Sequence, residues 1–439
     1  MFRHPTQVIA TAFAAALLMG ASLLMMPISR SGGEAVPFVT ALFTAASAVC
    51  VTGLTTVDTA TYWSTFGQVV ILALIQVGGF GIMTFASLVG LLVSRRMGLR
   101  SRLTTAAETK SVGGDIGGVL IRVLLVTLLF ESVTALLLTI RFVVGYDEPI
   151  GRAAYLGVFH AVSAFNNAGF ALFSDNLMRF VADPWICLPI ALAVIAGGLG
   201  FPVLLELRRG LLQPRRWSLH TKLTLSMTAL LLVAGTVLVT AGEWTNPRTL
   251  GGLDVSGRLL AGFFHGVQPR TAGFNSLDVG AMDETTWLGT VVLMFIGGGS
   301  AGTAGGIKVT TFVILFFAIY AEVRGEVHVN AFDRRLDPRT LRQALAVALM
   351  SVAAVVCATF LLLELTDFGF GQVLFEATSA FATVGMSTGI TAGMPMPAQV
   401  VLVALMFLGR IGPITLVSAL ALRERQRLYQ LPEGRPIIG

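Results

Sequence analysis

The chain has 439 residues, of which 55% are hydrophobic and only 12% are charged. Soluble domains usually contain about 25% charged residues, so the composition excludes an ordinary soluble enzyme. Mean hydropathy is +0.80, and several apolar runs are long enough to cross a hydrocarbon core of about 30 Å. The composition therefore predicts an all-α polytopic membrane protein.

The net charge of +6 fits either nucleic-acid binding or the basic cytoplasmic loops of a membrane protein. The apolar composition favours the loops, and we expect no nucleic-acid partner. Three widely separated cysteines, Cys50, Cys187 and Cys357, predict neither a disulfide framework nor a zinc site. The five histidines lack ligand spacing and no nucleophile–base pair is present, so the sequence does not predict an enzyme.

Eight apolar runs can span a membrane, and the first is too long for the hydrophobic part of a signal peptide. They lie at about 7–27, 68–93, 117–144, 185–206, 220–241, 287–322 with an interruption, 340–363 and 398–422. Between the members of each successive pair lies a shorter apolar segment, at about 38–50, 153–167, 256–270 and 371–383. Such a helix covers only about 20 Å and must turn back. We predict eight transmembrane helices and four re-entrant helices.

Each re-entrant segment ends at a glycine that lies among small or polar residues. The four triplets are Val51-Thr52-Gly53, Asn167-Ala168-Gly169, Thr271-Ala272-Gly273 and Thr383-Val384-Gly385. Their glycines are 116, 104 and 112 residues apart, close to a quarter of the chain. A second glycine-rich series starts 24 to 28 residues after these glycines, at Gly78, Gly197, Gly297 and Gly409. Two series in one register indicate a fourfold internal repeat.

The predicted repeats cover residues 1–94, 95–210, 211–325 and 326–422, and a tail covers 423–439. Each repeat has an even number of spans, so all four share one orientation and can surround an axis along the membrane normal. Inverted repeats, which are common in alternating-access carriers, require an odd number of spans per unit. The sequence therefore predicts a pseudo-fourfold central pore.

Basic residues indicate the orientation of the chain. Of the 30 Lys and Arg residues, 20 lie at the N-terminus, in the loops that join repeats or in the tail, and six lie on the opposite side. The positive-inside rule then predicts that both termini are cytoplasmic. The four glycine turns are accordingly expected to face outward.

The glycine turns have a predicted chemical role. Irregular backbone at membrane depth is tolerated only where protein buries it or where it lines a watery cavity. Glycine lets successive carbonyl groups face one point, and four such turns can replace the hydration shell of a cation. The short helices would direct their partly negative C-terminal ends there. The alternative is that these glycines only allow close helix packing.

Several segments resemble those of the Ktr/Trk/HKT superfamily of potassium transporters, over essentially the whole chain. They read VCVTGLTTVDT, SAFNNAGFALF, QPRTAGFNSLD, GGGSAGTAGGIKVTT, FATVGMSTGIT and MFLGRIGPITL. The bacterial Ktr-type membrane subunit is the type that fits best, because the first span starts near Gln7. The resemblance implies four potassium-channel-like M1–P–M2 repeats in a bacterial plasma membrane.

The resemblance implies a K⁺-translocating subunit whose selectivity filter consists of the four triplets. The implied filter residues are Val51, Thr52, Gly53, Asn167, Ala168, Gly169, Thr271, Ala272, Gly273, Thr383, Val384 and Gly385. Each turn has one glycine, where the filter of a potassium channel has two, which predicts modest discrimination between K⁺ and Na⁺. A carrier that couples Na⁺ and K⁺ stoichiometrically is the main rival, and a membrane-embedded enzyme is a weaker one.

The resemblance also has implications for ligands and partners. We expect no cofactor on this chain, K⁺ as the transported ion, bound at the filter only, and Na⁺ as a candidate activator. The implied partners are a second copy of the chain, the lipid bilayer and a cytoplasmic KtrA-type regulatory ring that binds ATP or ADP. Attraction to anionic lipid is a competing explanation for the basic loops.

A glycine-rich stretch interrupts the sixth span. It comprises Gly297, Gly298, Gly299, Ser300, Ala301, Gly302, Thr303, Ala304, Gly305 and Gly306, with Lys308 just beyond it. Each glycine weakens a helix by about 1 kcal/mol, so we expect an unwound loop, and the resemblance implies a gate beneath the filter. A literal G-x-G-x-x-G match occurs here without a surrounding βαβ unit, so a dinucleotide site is not predicted.

Arg410 lies about 18 Å from either end of its predicted span, too far to reach water along lipid. It occupies the register position of Gly79, Gly198 and Gly298. We hypothesise that its side chain enters the cavity below the filter as an electrostatic barrier to cations. The alternative is a buried ion pair with an acid, and the candidate acids are Glu131, Glu364 and Glu376.

Three acidic residues follow the first three glycines on the predicted outer side. They are Asp58, Asp175 and Asp278, and the fourth repeat has no equivalent. Acids at this position would concentrate cations at the outer mouth of a pore. Helix capping or loop hydrogen bonding is at least as good an interpretation.

Overall fold

The computed structural model describes residues 5–96 and 116–412. The regular structure of the described part is helical apart from one short hairpin, which confirms the predicted all-α class. Its α-helices are α1 (Pro5–Leu24), α2 (Phe38–Val49), α3 (Thr59–Tyr62), α4 (Thr65–Arg96), α5 (Ile116–Tyr146), α6 (Ile150–Phe165), α7 (Pro184–Leu199), α8 (Phe201–Gly210), α9 (Leu219–Glu243), α10 (Val255–Val267), α11 (Glu284–Phe295), α12 (Val309–Val323), α13 (Pro338–Leu365), α14 (Phe370–Ala382) and α15 (Met396–Ile411). An antiparallel hairpin consists of β1 (Asn330–Ala331) and β2 (Arg334–Arg335).

Local sequence explains where several helices begin. The side chains of Asp183, Ser218, Asp254 and Asp337 accept hydrogen bonds from backbone N–H groups in the first turns of α7, α9, α10 and α13. These N-caps satisfy donors that a helix leaves unpaired at its start. Short 3₁₀-helices lie in the connections, at Pro27–Ser29, Met178–Phe180, Pro214–Arg216, Leu250–Gly252, Val279–Ala281 and Thr391–Gly393.

Three described helical segments are long and apolar enough to cross a membrane: Leu120–Tyr146 within α5, Leu219–Glu243 and Pro338–Leu365. The pair α7 and α8 is a fourth if it is counted as one span. The sequence predicts eight spans. The predicted runs at 7–27, 68–93 and 398–422 extend into residues whose side chains lie outside the described part, and only shorter apolar helices are described there.

The predicted span at 185–206 is not one straight helix, which corrects the sequence prediction. The chain bends by 102° between α7 and α8, and Gly200 at the bend has φ +92°. A Cβ on this residue would lie 2.5 Å from the carbonyl oxygen of Ser300. Glycine is therefore required both by the backbone angle and by the close contact.

The predicted span at 287–322 is divided in two, at the segment where the sequence predicts an interruption. α11 ends at Phe295 and α12 begins at Val309, and the residues between them are not helical. Two backbone hydrogen bonds close the base of this loop: Gly297 N–H donates to Ile307 at 2.8 Å, and Val309 N–H donates to Gly298 at 3.0 Å.

The helices pack in a cyclic order that follows the chain. Each of the short helices α2, α6, α10 and α14 packs against the helix before it and carries a fully buried phenylalanine: Phe43, Phe159, Phe264 and Phe375. The helix after each short helix also reaches the next short helix, so that α4 contacts α6, α7 contacts α10 and α11 contacts α14. Finally α15 contacts α2, and the arrangement closes on itself.

Candidate functional site

The four predicted glycine turns share an unusual backbone conformation. Each glycine has a positive φ: Gly53 (+94°), Gly169 (+68°), Gly273 (+72°) and Gly385 (+90°). The residue two positions earlier in each turn is also left-handed: Val51 (+55°), Asn167 (+59°), Thr271 (+70°) and Thr383 (+50°). Positive φ is strained for β-branched residues and persists only where surrounding contacts enforce it. All four triplets therefore adopt the same strained form.

The four turns form a closed ring, which we call the glycine ring. A Cβ on Gly53 would lie closer than 3.0 Å to the carbonyl oxygen of Ala168, and a Cβ on Gly169 would lie equally close to that of Ala272. The same relation joins Gly273 to the carbonyl of Val384. A Cβ on Gly385 would meet the carbonyl of Thr52, which completes the circuit. Only glycine allows the backbones to approach this closely.

Hydroxyl groups of the short helices hold three of the turns. Ser47 Oγ accepts the N–H of Gly53 at 3.0 Å, and Ser379 Oγ accepts the N–H of Gly385 at 3.1 Å. Ser163 Oγ donates to the carbonyl of Phe170 at 2.8 Å. Each serine lies six residues before its ring glycine. The third turn instead uses Gln268, whose Oε1 accepts the N–H of Phe274 at 3.0 Å.

The second glycine series allows close packing behind the ring. A Cβ on Gly78 would meet the carbonyl oxygen of Val49, and a Cβ on Gly197 would meet that of Phe165. A Cβ on Gly409 would likewise meet the carbonyl oxygen of Phe381. Each of these carbonyls belongs to the residue four positions before a ring glycine. At three of its four positions, the second glycine series therefore allows the following helix to contact the end of a short helix. Gly297 lies instead against Gly305 within the glycine-rich loop.

The glycine-rich loop lies against the second and fourth units. Gly299 N–H donates to Gly198 at 2.8 Å and Thr303 N–H donates to Gly197 at 3.1 Å. The loop also reaches a ring residue, because Thr303 Oγ1 donates to Asn167 Oδ1 at 3.1 Å. Lys308 Nζ donates back to the Ala304 carbonyl at 2.5 Å.

Arg410 is buried and connects three of the four predicted units. Its guanidinium donates to the carbonyl of Thr303 in the loop and, at 3.0 Å, to the carbonyl of Gly78 in α4. No acidic group among the described residues lies within ion-pair distance of it. The ion-pair alternative with Glu131, Glu364 or Glu376 is therefore wrong. The barrier role itself remains a prediction.

Comparison with known proteins identifies the family. A family model described as TrkH, a cation transport protein, matches residues 1–429. The chain belongs to the TrkH family of cation transport proteins. It is therefore a transporter-family protein and not an enzyme.

Similar proteins are found in several bacteria. The chain is 43% identical to the Ktr system potassium uptake protein B of Bacillus subtilis (strain 168), over 99% of this chain and 97% of that protein. It is 38% identical to the protein of the same name from Vibrio alginolyticus, over 99% and 94%. The crystal structure of the potassium transporter TrkH from Vibrio parahaemolyticus matches with a TM-score of 0.72 at 15% identity, over 94% of this chain and 85% of that one, which shows a shared fold.

In this TrkH-family chain, the three predicted outer acids have local partners. Asp58 caps α3 through the N–H of Ala60 at 3.0 Å, and Asp278 accepts the N–H of Gly280 at 3.0 Å. Asp175 pairs with Arg179 at 2.7 Å. Burial raises the pKa of Asp175, but hydrogen bonds and the positive charge of Arg179 together have the larger effect and hold the pKa below its usual value. These contacts fit the capping interpretation, while attraction of cations remains a prediction.

Glu131 and Glu376 are buried carboxylates near the ring, for which the sequence suggested only a role as candidate partners of Arg410. Glu131 accepts hydrogen bonds from Asn166 Nδ2 at 3.0 Å and from Gln76 Nε2 at 3.3 Å, beside the second turn. Glu376 accepts the N–H of Thr388 at 3.0 Å and the hydroxyl of Thr391 at 2.9 Å, beyond the fourth turn. Glu131 thus holds the side chain of Asn166 beside the second turn, and Glu376 holds the backbone of Thr388 after the fourth turn.

The serines that hold the ring were not predicted from the sequence. A signal was present, because Ser47, Ser163 and Ser379 share one register position before the glycines. Their role was not evident because small hydroxyl residues are common in membrane helices for packing alone. In the part of the chain that the structure describes, no group of three or more His, Cys, Asp or Glu residues could hold a metal ion.

Proposed function

We propose that this chain is the K⁺-translocating membrane subunit of a Ktr-type potassium uptake system. The observation that carries the proposal is the glycine ring, a closed circuit of four turns in one backbone conformation. The names of the relatives, "Ktr system potassium uptake protein B", support K⁺ as the ion and a system of more than one component.

The proposed filter consists of the four ring triplets. Carbonyl oxygens of Thr52, Ala168, Ala272 and Val384 approach neighbouring turns at equivalent positions, so four equivalent oxygens are available around one centre. Such oxygens replace the water shell of a dehydrated K⁺. The C-terminal ends of the four short helices add partial negative charge on the same side. A single glycine per turn defines few sites, so discrimination against Na⁺ is modest.

Transport through this filter is passive. An inside-negative potential supplies about 2.3 kcal/mol per charge for each 100 mV, which suffices to accumulate K⁺. The proposed arrangement is four M1–P–M2 repeats in the bacterial plasma membrane with both termini in the cytoplasm. Na⁺ acts as an activator rather than as a stoichiometric partner.

The glycine-rich loop is the proposed gate. It is fixed to the second unit by backbone hydrogen bonds and to α15 by the guanidinium of Arg410. Opening requires these contacts to break. We assign their control to a cytoplasmic KtrA-type ring that binds ATP or ADP, on which a homodimer of this chain sits.

The test is ⁸⁶Rb⁺ uptake into liposomes that contain the full chain, with an imposed inside-negative potential. We expect uptake that K⁺ blocks strongly and Na⁺ blocks more weakly. Equal block by both ions would refute the K⁺ filter. Reversal potentials that follow K⁺ alone support the pore, whereas dependence on the Na⁺ gradient would indicate a coupled carrier. Addition of a KtrA-type ring with ATP or ADP tests the gate.

A further inference from the structure

A cavity lies between the N-terminal part of α5 and the C-terminal end of α8. Its volume is about 310 Å³, and it is lined by Arg122, Arg208 and Arg209 together with Leu125, Leu129 and Leu205. We call this site the arginine pocket. Because one water molecule takes up about 30 Å³ of the liquid, the cavity has room for a group as large as a phosphate ester.

The three guanidinium groups have no carboxylate partner among the residues that the structure describes. In the described part of the chain, no carboxylate lies within 4.0 Å of Arg122, Arg208 or Arg209. Glu206, on the same helix as two of them, is already used: it accepts the N–H of Ser218 at 2.6 Å and also binds the hydroxyl of that residue. The lining of the pocket, as far as the structure describes it, therefore carries three positive charges and no carboxylate.

The position of Arg122 along α5 matches the level of lipid headgroups. α5 has 31 residues and is about 46 Å long, well above the hydrocarbon thickness of about 30 Å. Arg122 lies about 9 Å from its start. One and two turns further, Leu125 is 60% exposed and Leu129 is 61% exposed. A charged end thus continues directly into an apolar wall that faces lipid.

α8 provides an independent indication of a membrane surface. The 102° bend turns this helix away from the direction of α7. Immediately after Arg208 and Arg209, Leu211 is 63% exposed and Leu212 is 91% exposed. Trp217 anchors the end of the segment by donating from Nε1 to the carbonyl of Gly210 at 2.9 Å. Basic residues beside exposed leucines and a tryptophan are typical of a helix that lies in the interface.

We propose that the arginine pocket binds the headgroup of an anionic phospholipid of the inner leaflet, with its acyl chains along Leu125 and Leu129. Guanidinium groups bind phosphate oxygens in a bidentate manner, and basic pockets between membrane helices favour anionic headgroups. The inference goes beyond ion transport and rests only on the cytoplasmic orientation given under the proposed function.

The experiment is native mass spectrometry of the full chain, titrated with phosphatidylglycerol or with phosphatidylcholine of the same acyl chains. Wild type is expected to retain phosphatidylglycerol preferentially. Each basic residue contributes roughly a fivefold gain in affinity near an anionic surface, so Arg208→Gln/Arg209→Gln should weaken binding about thirtyfold. The matched control is Arg215→Gln/Arg216→Gln, which removes the same charge from exposed positions outside the pocket.

The outcomes separate the lipid from other anions. Unchanged phosphatidylglycerol binding in Arg208→Gln/Arg209→Gln, or an equal loss in the control, would overturn the proposal. Displacement of the lipid by an equal concentration of inorganic phosphate would indicate a free-anion site and overturn the assignment to lipid. Arg122→Gln, a single substitution at an exposed position, is the second test if the double variant fails to fold: it should weaken phosphatidylglycerol binding about fivefold, and unchanged binding would overturn the proposal. Lipid retention is measured without transport, so its failure is distinct from failure of ⁸⁶Rb⁺ uptake.

Discussion

Replacement of Gly385 by alanine is the sharpest test of the glycine ring, because the chain contains a matched control. Gly385 and Gly389 have nearly the same backbone angle, with φ of +90° and +93°. An alanine at either position therefore costs about 1–2 kcal/mol for the left-handed conformation. The two sites differ in their surroundings: a Cβ on Gly385 would press on the carbonyl oxygen of Thr52, whereas nothing lies within 4 Å of a Cβ on Gly389.

The contact with Thr52 should also weaken K⁺ binding, and only in the Gly385→Ala variant. The carbonyl of Thr52 must move away, and in the proposed filter this leaves the ion with one fewer well-placed oxygen. If that oxygen is worth as much as a hydrogen bond to a charged group, about 1.5–3 kcal/mol, the apparent affinity for K⁺ falls about ten- to hundredfold.

The assay is K⁺ competition against ⁸⁶Rb⁺ uptake in proteoliposomes, together with the thermal unfolding midpoint in detergent. Gly389→Ala should lose only the small amount of stability due to the backbone angle, Gly385→Ala should lose more because the backbone at Thr52 has to shift, and only Gly385→Ala should lose K⁺ affinity. If Gly389→Ala impairs affinity equally, or Gly385→Ala leaves it unchanged, the ring does not coordinate the ion.

Three further predictions concern residues around the ring. Arg410→Ala should raise the rate of ⁸⁶Rb⁺ uptake, because it removes a positive charge and frees the loop at Thr303; an unchanged rate would exclude the barrier role. Glu131→Ala should lower stability by about 1–3 kcal/mol, because buried amide donors lose their acceptor, while thermal unfolding of the exposed control Glu364→Ala should change little. Asp175 has a lowered pKa. The stabilisation from its ionised carboxylate is therefore complete above the pKa of the unfolded state and is lost as pH falls through the lower pKa of the native state. Asp175→Asn should reduce stability by less than about 1 kcal/mol at neutral pH and not at all in strong acid.

The position of the turns could be predicted from sequence, but their backbone conformation could not. Glycine spacing marks all four turns, since only glycine fits where backbones approach closely. Val51, Thr271 and Thr383 would be assigned to extended backbone by intrinsic preference. Their left-handed angles result from contacts between units that are distant in sequence.

The contacts of Arg410 could not be predicted from sequence, and neither could the size of the bend at Gly200. Burial of Arg410 follows from its distance to either end of its span, but its acceptors are backbone carbonyls of Gly78 and Thr303, and every residue has a carbonyl. The run around Gly200 contains no charged residue before Glu206, so hydropathy predicts one straight helix, although Gly200 and Pro202 are residues that favour a break. The bend depends on contact with Ser300, which belongs to another unit.

Because a single polypeptide supplies all four turns of the glycine ring, each quarter of the ring can change without the others. In a tetramer of identical subunits, one altered codon changes four ligands at once. Here it changes one position of the proposed filter, and Asn167 already differs from Val51, Thr271 and Thr383 at the equivalent position. Affinity for the ion can therefore evolve in small, asymmetric increments.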